Sequence, residues 1–238
     1  AIYIWNGQTG EYVNKLFGHE STVTSIAFNP SSGNLISGSM DNTVRYWNQY
    51  AGLEFADKEY RSSSIYAFAV SADGKYLAMS GSDTTIALWN AHTGRPVKHI
   101  KALPELLNTL AFSPSGNTLI GANWNKEVVM WDVNSGNVQS RLEGMSGGSS
   151  DVCFSPDGKY AASVSTEKAV LLWSALDGHL AGKGLLGGRP YSLAFSKDTK
   201  ELIAGSSDGT LRFFSVSKMD SVRSVKVNNI QSNRIDIS

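Results

Sequence analysis

Five tryptophans, Trp5, Trp47, Trp89, Trp131 and Trp173, stand 42 residues apart, and a further step of 41 lands on Phe214. A second ladder runs through Phe28, Val70, Phe112, Phe154, Phe195 and Ile237 with the same period and the same single shortening. From the second ladder to the next rung of the first is 19 residues in every unit, so the shortening falls between Trp173 and Phe195. Two ladders locked in this way define a repeat architecture. Each unit is too small to bury its own apolar faces and has to stack on its neighbours.

Within a unit the residues read as four short strands. LLNTLAF (106–112) is followed by the turn SPSGN, then TLIGA (118–122), a second turn, EVVMW (127–131), the turn VNSG and a last strand, NVQSRL. The strands are rich in β-branched and aromatic residues, and Pro, Gly, Asn, Asp and Ser punctuate them. Glycines recur five residues after each tryptophan, at 10, 52, 94, 136 and 178. A turn that needs a positive φ accepts glycine there without a Cβ clash. No stretch carries a useful helical period. Four strands in about 42 residues is the spacing of a β-propeller blade. The predicted fold is therefore all-β, with complete blades over 22–60, 64–101, 107–143, 149–186 and 190–227 and a partial blade from 1–17 and 233–238. Ala27, Ala69, Ala111, Cys153 and Ala194 form a small-residue column on the innermost strand, which makes Cys153 an alanine-sized core residue rather than a nucleophile.

The units resemble the WD-repeat (tryptophan–aspartate repeat) propeller family over essentially the whole chain. LFGHES (16–21), LISGSMDNTVRYWN (35–48), VVMWDVNSG (128–136) and FSPDGK (154–159) carry the resemblance. It implies a tetrad of His, Ser or Thr, Asp and Trp joined by hydrogen bonds, complete here once, as His19, Ser37, Asp41 and Trp47. The positions equivalent to His19 hold Arg61, Leu103, Met145 and Leu186, and the Asp41 position becomes Asp83, Asn125, Glu167 and Asp208. Only Trp131-Asp132 keeps the dipeptide that names the family.

Function classes narrow quickly. Lysine and arginine total 21 against 21 aspartates and glutamates, so the basic excess of a nucleic-acid binder is missing and no direct nucleic-acid binding is expected. No apolar run approaches the roughly 20 residues of a bilayer span, so membrane insertion is not expected either. A lone cysteine excludes an internal disulfide, and the one Asn-X-Ser match, Asn29-Pro30-Ser31, is disqualified by its proline. Both fit an intracellular protein, cytoplasmic or nuclear. His92, His99 and His179 lack metal-ligand spacing, and MSGGSS (145–150) and LLGGRP (185–190) lack the lysine and helix of a phosphate loop. Lys218, Arg223 and Lys226 read as a solvated outer strand and the turn before it. Asp151, Arg234 and Asp236 are the charged exceptions among innermost-strand residues, and a single carboxylate is not an acid–base pair. No catalytic residue, cofactor or metal site is expected.

Trp124 alone of the six tryptophans stands outside the ladder, one residue before the turn-Asp position. That turn falls on the same side as the loops leading into the inner strands, where Met40, Tyr66, Leu106, Arg189 and Tyr191 lie. Trp, Tyr, Arg, Met and Leu together have the composition of a partner-binding surface. The alternative is that Trp124 covers a gap left where Gly121 replaces the equivalent of Ser37. The expected function is a non-catalytic scaffold or adaptor gripping a protein or peptide on this loop face. The alternatives are an architectural propeller in a large assembly, or a ligand-binding or enzymatic propeller using its channel. A six-bladed ring at this period needs about 250 residues and a seven-bladed one about 290. The expectation is accordingly a segment of a longer protein, an open arc with two raw edges; a six-bladed ring closed by both termini is the alternative.

Overall fold

The computed structural model describes residues 1–47 and 64–227, with the backbone alone of 54–59. Asn48, Gly52, Arg61, Arg234, Asp236, Ile237 and the strand expected at 233–238 lie outside the described residues. The chain divides into two compact units, Ala1–Leu106 and Leu107–Ser238.

In the first unit, β1 (Ile2–Trp5) and β2 (Tyr12–Leu16) form a two-stranded antiparallel sheet. β3 (Val23–Phe28), β4 (Leu35–Ser39), β5 (Thr43–Trp47) and β6 (Glu54–Glu59) make one four-stranded blade. A second blade comprises β7 (Ile65–Val70), β8 (Tyr76–Gly81), β9 (Thr85–Asn90) and β10 (Pro96–Lys101). Among its described residues the second unit holds three blades. They are β11 (Leu107–Phe112), β12 (Thr118–Asn123), β13 (Val128–Asp132) and β14 (Val138–Leu142); then β15 (Ser149–Phe154), β16 (Tyr160–Ser165), β17 (Ala169–Ser174) and β18 (Leu180–Leu185); then β19 (Pro190–Phe195), β20 (Glu201–Ser206), β21 (Thr210–Ser215) and β22 (Ser221–Lys226). Every blade is an antiparallel meander, and the architecture is that of β-propeller blades, as the two ladders predict.

Burial follows from stacking. Successive side chains of a strand point to opposite faces, and a central strand is covered on both. On β17, Leu171 and Trp173 pack toward Ile120, Met130 and Val152, while Val170 and Leu172 pack toward Leu193, Phe195 and Phe214. The first unit uses the same scheme: Ile36 and Val44 meet Ile65, Phe68 and Met79, and Leu35 and Trp47 meet Ile2 and Leu16. Trp47, Trp131, Trp173 and Phe214 are fully buried rungs of the tryptophan ladder. Trp5 departs from this: it is exposed and packs edge-on against Tyr12, centroids 5.5 Å apart. The outermost strand β22 is exposed along its whole length.

Each blade carries two bulges at fixed places. The innermost strand shifts register at Thr24, Tyr66, Asn108, Ser150 and Tyr191, and the outermost strand shifts opposite the tryptophan rung. A bulge leaves one residue outside the ladder and re-aims its side chain. In these blades the inner bulge aims at the next blade: Thr24 Oγ1 donates to the Ile65 carbonyl at 2.9 Å, Asn108 Nδ2 to the Ser149 carbonyl at 2.6 Å, and Ser150 Oγ to the Pro190 carbonyl at 3.1 Å.

Candidate protein-interaction face

In the blades that begin with β3, β15 and β19, one end is built from the turn between the second and third strands and the loop leading into the first. Backbone bonds hold the two together: Met40 N–H to the Thr22 carbonyl at 3.0 Å, Thr166 to Gly148 at 2.9 Å and Ser207 to Arg189 at 2.8 Å. The turn takes a left-handed residue next to the Asp position, including Lys126 (φ 72°) and Lys168 (φ 62°) in the second unit. Those lysines therefore sit at the rim.

The glycine pairs at 147–148 and 187–188 are packing devices of this rim. A Cβ on Gly148 would come 2.5 Å from the Trp124 carbonyl oxygen and 2.8 Å from its Cα, and one on Gly188 2.7 Å from the Asp208 nitrogen. Backbone cannot yield as a flexible side chain can, so only glycine passes. The loop before β15 thus lies directly against the Trp124 main chain. Trp124 is left 51% exposed, and the exposed Arg189 guanidinium stands 5.7 Å from its ring centroid, within cation–π range. The atoms nearest the missing Cβ of Gly121 belong to Leu110, Leu107 and Trp131, so the space above Gly121 is lined by core residues and the indole of Trp124 stays at the surface.

Among the other residues proposed for this face, Met40 is exposed, Leu106 stands at the edge of exposure, and Tyr66 and Tyr191 are half-buried. Met40, Tyr66 and Leu106 belong to the first unit and Trp124, Arg189 and Tyr191 to the second. The contact found between members of the set is that of Trp124 with Arg189. Tyr66 and Tyr191 occupy inner bulges, where the other blades carry Thr24, Asn108 and Ser150.

The polar tetrad of the first blade is a continuous relay. Trp47 Nε1–H donates to Ser37 Oγ at 2.8 Å, Ser37 Oγ meets His19 Nε2 at 2.7 Å, and His19 Nδ1 meets Asp41 Oδ2 at 2.7 Å. The Asp41 carboxylate can only accept, so Nδ1–H donates to it, and in the neutral imidazole Nε2 then accepts the Ser37 hydroxyl proton. Thr43 donates to Asp41 through its hydroxyl (2.6 Å) and backbone N–H (2.9 Å), and the Glu20 N–H adds another bond at 2.9 Å. Burial opposes ionisation of Asp41, but the bonds from Thr43, His19 and Glu20 outweigh it and hold the carboxyl below the usual aspartate range.

Elsewhere the same positions are rewired. Trp173 Nε1–H donates to the Glu143 carbonyl at 2.8 Å, while Ser163 bonds Ser149 at 2.7 Å and approaches the Met145 sulfur at 3.9 Å. In the last blade Leu186, Ala204 and Phe214 are all buried and bring no polar side-chain atom to satisfy.

Asp151 is consumed by the fold. Its Oδ2 accepts from Ser192 Oγ at 2.9 Å and Leu193 N–H at 3.0 Å; its Oδ1 accepts from Val152 N–H at 3.0 Å and Thr109 Oγ1 at 3.3 Å. Those partners sit on β11, β15 and β19, so one carboxylate ties three innermost strands. Cys153 is in the same strand, and burial, aided by the Asp151 charge, pushes its thiol well above the ordinary range. Among the described residues no group of three or more His, Cys, Asp or Glu side chains is placed to hold a metal ion. His92 and His179 lie exposed in turns, and His99 is on the outer strand β10. The sequence reading missed the inter-blade bonding of the inner bulges. Its signal was present as a column of short hydrogen-bonding residues, Thr24, Asn108 and Ser150, four residues before the Phe ladder.

The family described as IFT122 first beta-propeller matches residues 1–236. Shorter stretches are similar to periodic tryptophan protein 2 homologues: 38% identity over 72 residues in Neurospora crassa, covering 30% of this chain and 8% of the relative, and 38% over 74 residues in Schizosaccharomyces pombe, covering 31% and 9%. A 47-residue stretch is 38% identical to Protein ROOT INITIATION DEFECTIVE 3 of Arabidopsis thaliana, covering 20% of this chain and 11% of that protein. The matched stretches thus span about a tenth or less of the relatives' length.

Proposed function

This chain belongs to the IFT122 first beta-propeller family, a WD-repeat propeller family, and from that premise we propose that it is a non-catalytic interaction domain binding a protein or peptide at the loop end of its blades. The observation that carries the reading is Trp124. A half-exposed tryptophan, absent from the equivalent turns of the other blades, has its main chain packed against Gly148 and its ring flanked by Arg189. Tryptophan and arginine on rigid elements form anchors at low ordering cost, because the bound conformation already exists in the free protein.

An enzymatic channel is the weaker reading, because the inner-strand carboxylate it would use, Asp151, already accepts hydrogen bonds from three blades. Among the described residues no helix is long and apolar enough to cross a membrane. We place the protein inside the cell, in cytoplasm or nucleus, as a subunit or domain of a larger assembly. The test is proximity labelling and co-purification with wild type and Trp124→Ala. The reading expects Trp124→Ala to melt within about 2 °C of wild type, as a surface change within about 0.5 kcal/mol does, and to lose a defined set of partners. A markedly lower melting temperature with an unchanged partner set would refute it.

A further inference from the structure

We propose that the Trp124–Arg189 rim takes an acidic peptide segment that also carries an apolar side chain; this rests on the reading of the rim as a partner-binding site. The rim of the second unit is formed by the turns at 124–126, 166–168 and 207–209 and the loops before β15 and β19. Its cations are Lys126, Lys168 and Arg189, all exposed. Among the described residues none of the three has an ion-pair partner.

Its anions are Asp208, Glu167 and, next to Lys126, Glu127. Asp208 is occupied: Oδ1 accepts from Ser206 Oγ at 2.6 Å, Thr210 Oγ1 at 2.5 Å and Thr210 N–H at 3.0 Å. These bonds hold its carboxyl below the usual range against the opposing effect of burial. Asp208 keeps its negative charge, which the nearby Arg212 guanidinium balances, and Glu127 pairs with Arg141 at 3.3 Å, so Glu167 is left facing Lys126, Lys168 and Arg189. That excess is local, because the chain as a whole carries 21 acidic and 21 basic side chains.

The two recognition elements are complementary. Arg189 offers a planar fork of donors suited to bidentate bonding with a carboxylate. Its backbone is fixed by N–H donation to Ser207 Oγ at 3.0 Å and by its carbonyl accepting from Ser207 N–H at 2.8 Å. The guanidinium sits over the indole, which lowers the ordering cost of presenting it, and the free part of the Trp124 ring gives an apolar side chain a hard surface to cover. A partner carboxylate on Arg189 next to an aliphatic or aromatic residue on Trp124 uses both. A basic partner would meet three cations, and like-charge juxtaposition opposes binding. Nucleic-acid affinity needs a broad tract of phosphate contacts, and the formal charge of the chain is zero.

The experiment is selection of a random-peptide phage library on the full chain, with Trp124→Ala as the counter-selection target. A single-stranded RNA library is run in parallel. The expected result is enrichment of peptides rich in Asp and Glu around an apolar residue. A synthetic selected peptide should lose about tenfold or more in affinity when its acids are changed to amides, or when the protein carries Arg189→Glu. Arg189→Glu should melt like wild type, and reselection on it should yield basic peptides. Enrichment of neutral or basic peptides on wild type would overturn the acidic assignment and leave the rim as a binding site. Enrichment of RNA in place of peptides would overturn it in favour of nucleic-acid binding. No enrichment beyond Trp124→Ala in either library would overturn both the assignment and the proposed role of the rim.

Discussion

Replacing Asp151 separates a structural carboxylate from a functional one. In Asp151→Ala the backbone N–H groups of Val152 and Leu193 lose an acceptor inside buried strand, and the hydroxyls of Ser192 and Thr109, both buried, lose one as well. Each orphaned buried donor costs about 1–3 kcal/mol. The hydroxyls can rotate to other acceptors and so count little; the two N–H groups cannot. Removing the carboxylate also removes the cost of keeping a charge out of water, which offsets part of the loss. The expected cost is therefore about 3 kcal/mol for alanine, within the band of mutations that break a buried polar network.

Asp151→Ser should cost less than Asp151→Ala, because serine occupies this column at Ser25 and Ser192 and its hydroxyl can accept from one of the two N–H groups. The assay is hydrogen exchange by mass spectrometry with thermal melting. Protection should fall together in β11, β15 and β19, the three strands the carboxylate joins, while β3, β4 and β5 of the first unit keep theirs. A melting temperature and exchange pattern unchanged by Asp151→Ala would refute the structural assignment. The channel reading would then regain its best candidate residue.

Two further outcomes concern the first blade. His19→Leu breaks the bond to the Asp41 carboxylate and leaves the buried Ser37 hydroxyl without its acceptor, so it should cost about 3–5 kcal/mol, read as faster exchange in β4 and β5; unchanged exchange there would mean the relay adds nothing. Because the folded pKa of Asp41 is depressed, the stability it contributes is complete above the ordinary aspartate value of about 3.9 and is lost as pH falls through the lower folded value. Protection of β4 and β5 should accordingly decline as the pH is lowered from about 4 through that window, and Asp41→Asn should flatten the decline; an identical acid response in the variant would exclude Asp41 as its source.

The period, the strand order and the buried ladder were legible in the residues because blade stacking imposes them on every unit. Trp47, Trp131, Trp173 and Phe214 fill the same place, and any smaller side chain would leave a cavity. What was not legible depended on partners far along the chain. The carboxylate of Asp151 looked like an intrusion into a small-residue column; its partners, Thr109 and Ser192, lie about one repeat away on either side and look unremarkable as letters. The inner bulge was also invisible to alternation alone, since one extra residue shifts the pattern without breaking it. Trp124 was legible as an outlier, but its neighbour was not: Arg189 lies one and a half repeats away, and the rim brings the two together across the intervening blade's loop.

The indole N–H groups of the ladder are treated differently from blade to blade: Trp47 donates to Ser37, backed by His19 and Asp41, and Trp173 to the Glu143 carbonyl, whereas the buried Trp131, with Gly121 in place of the serine, has no hydrogen-bond partner among the described residues. In the last blade Phe214 removes the need, and Ala204 and Leu186 stand where a hydroxyl and an imidazole would otherwise require partners of their own. A half-satisfied polar network is worse than an apolar one, so the last blade's three positions change as a set. Packing of the ladder residue is thus the common requirement, and its polar connections are local solutions. This separation explains why the rim can diverge between blades. The shape of the blade does not depend on the residue before the turn, so that position can hold Met40, Ser82, Trp124, Thr166 or Ser207. An indole at such a position meets no demand of the blade interior, which leaves a surface role as its physical rationale.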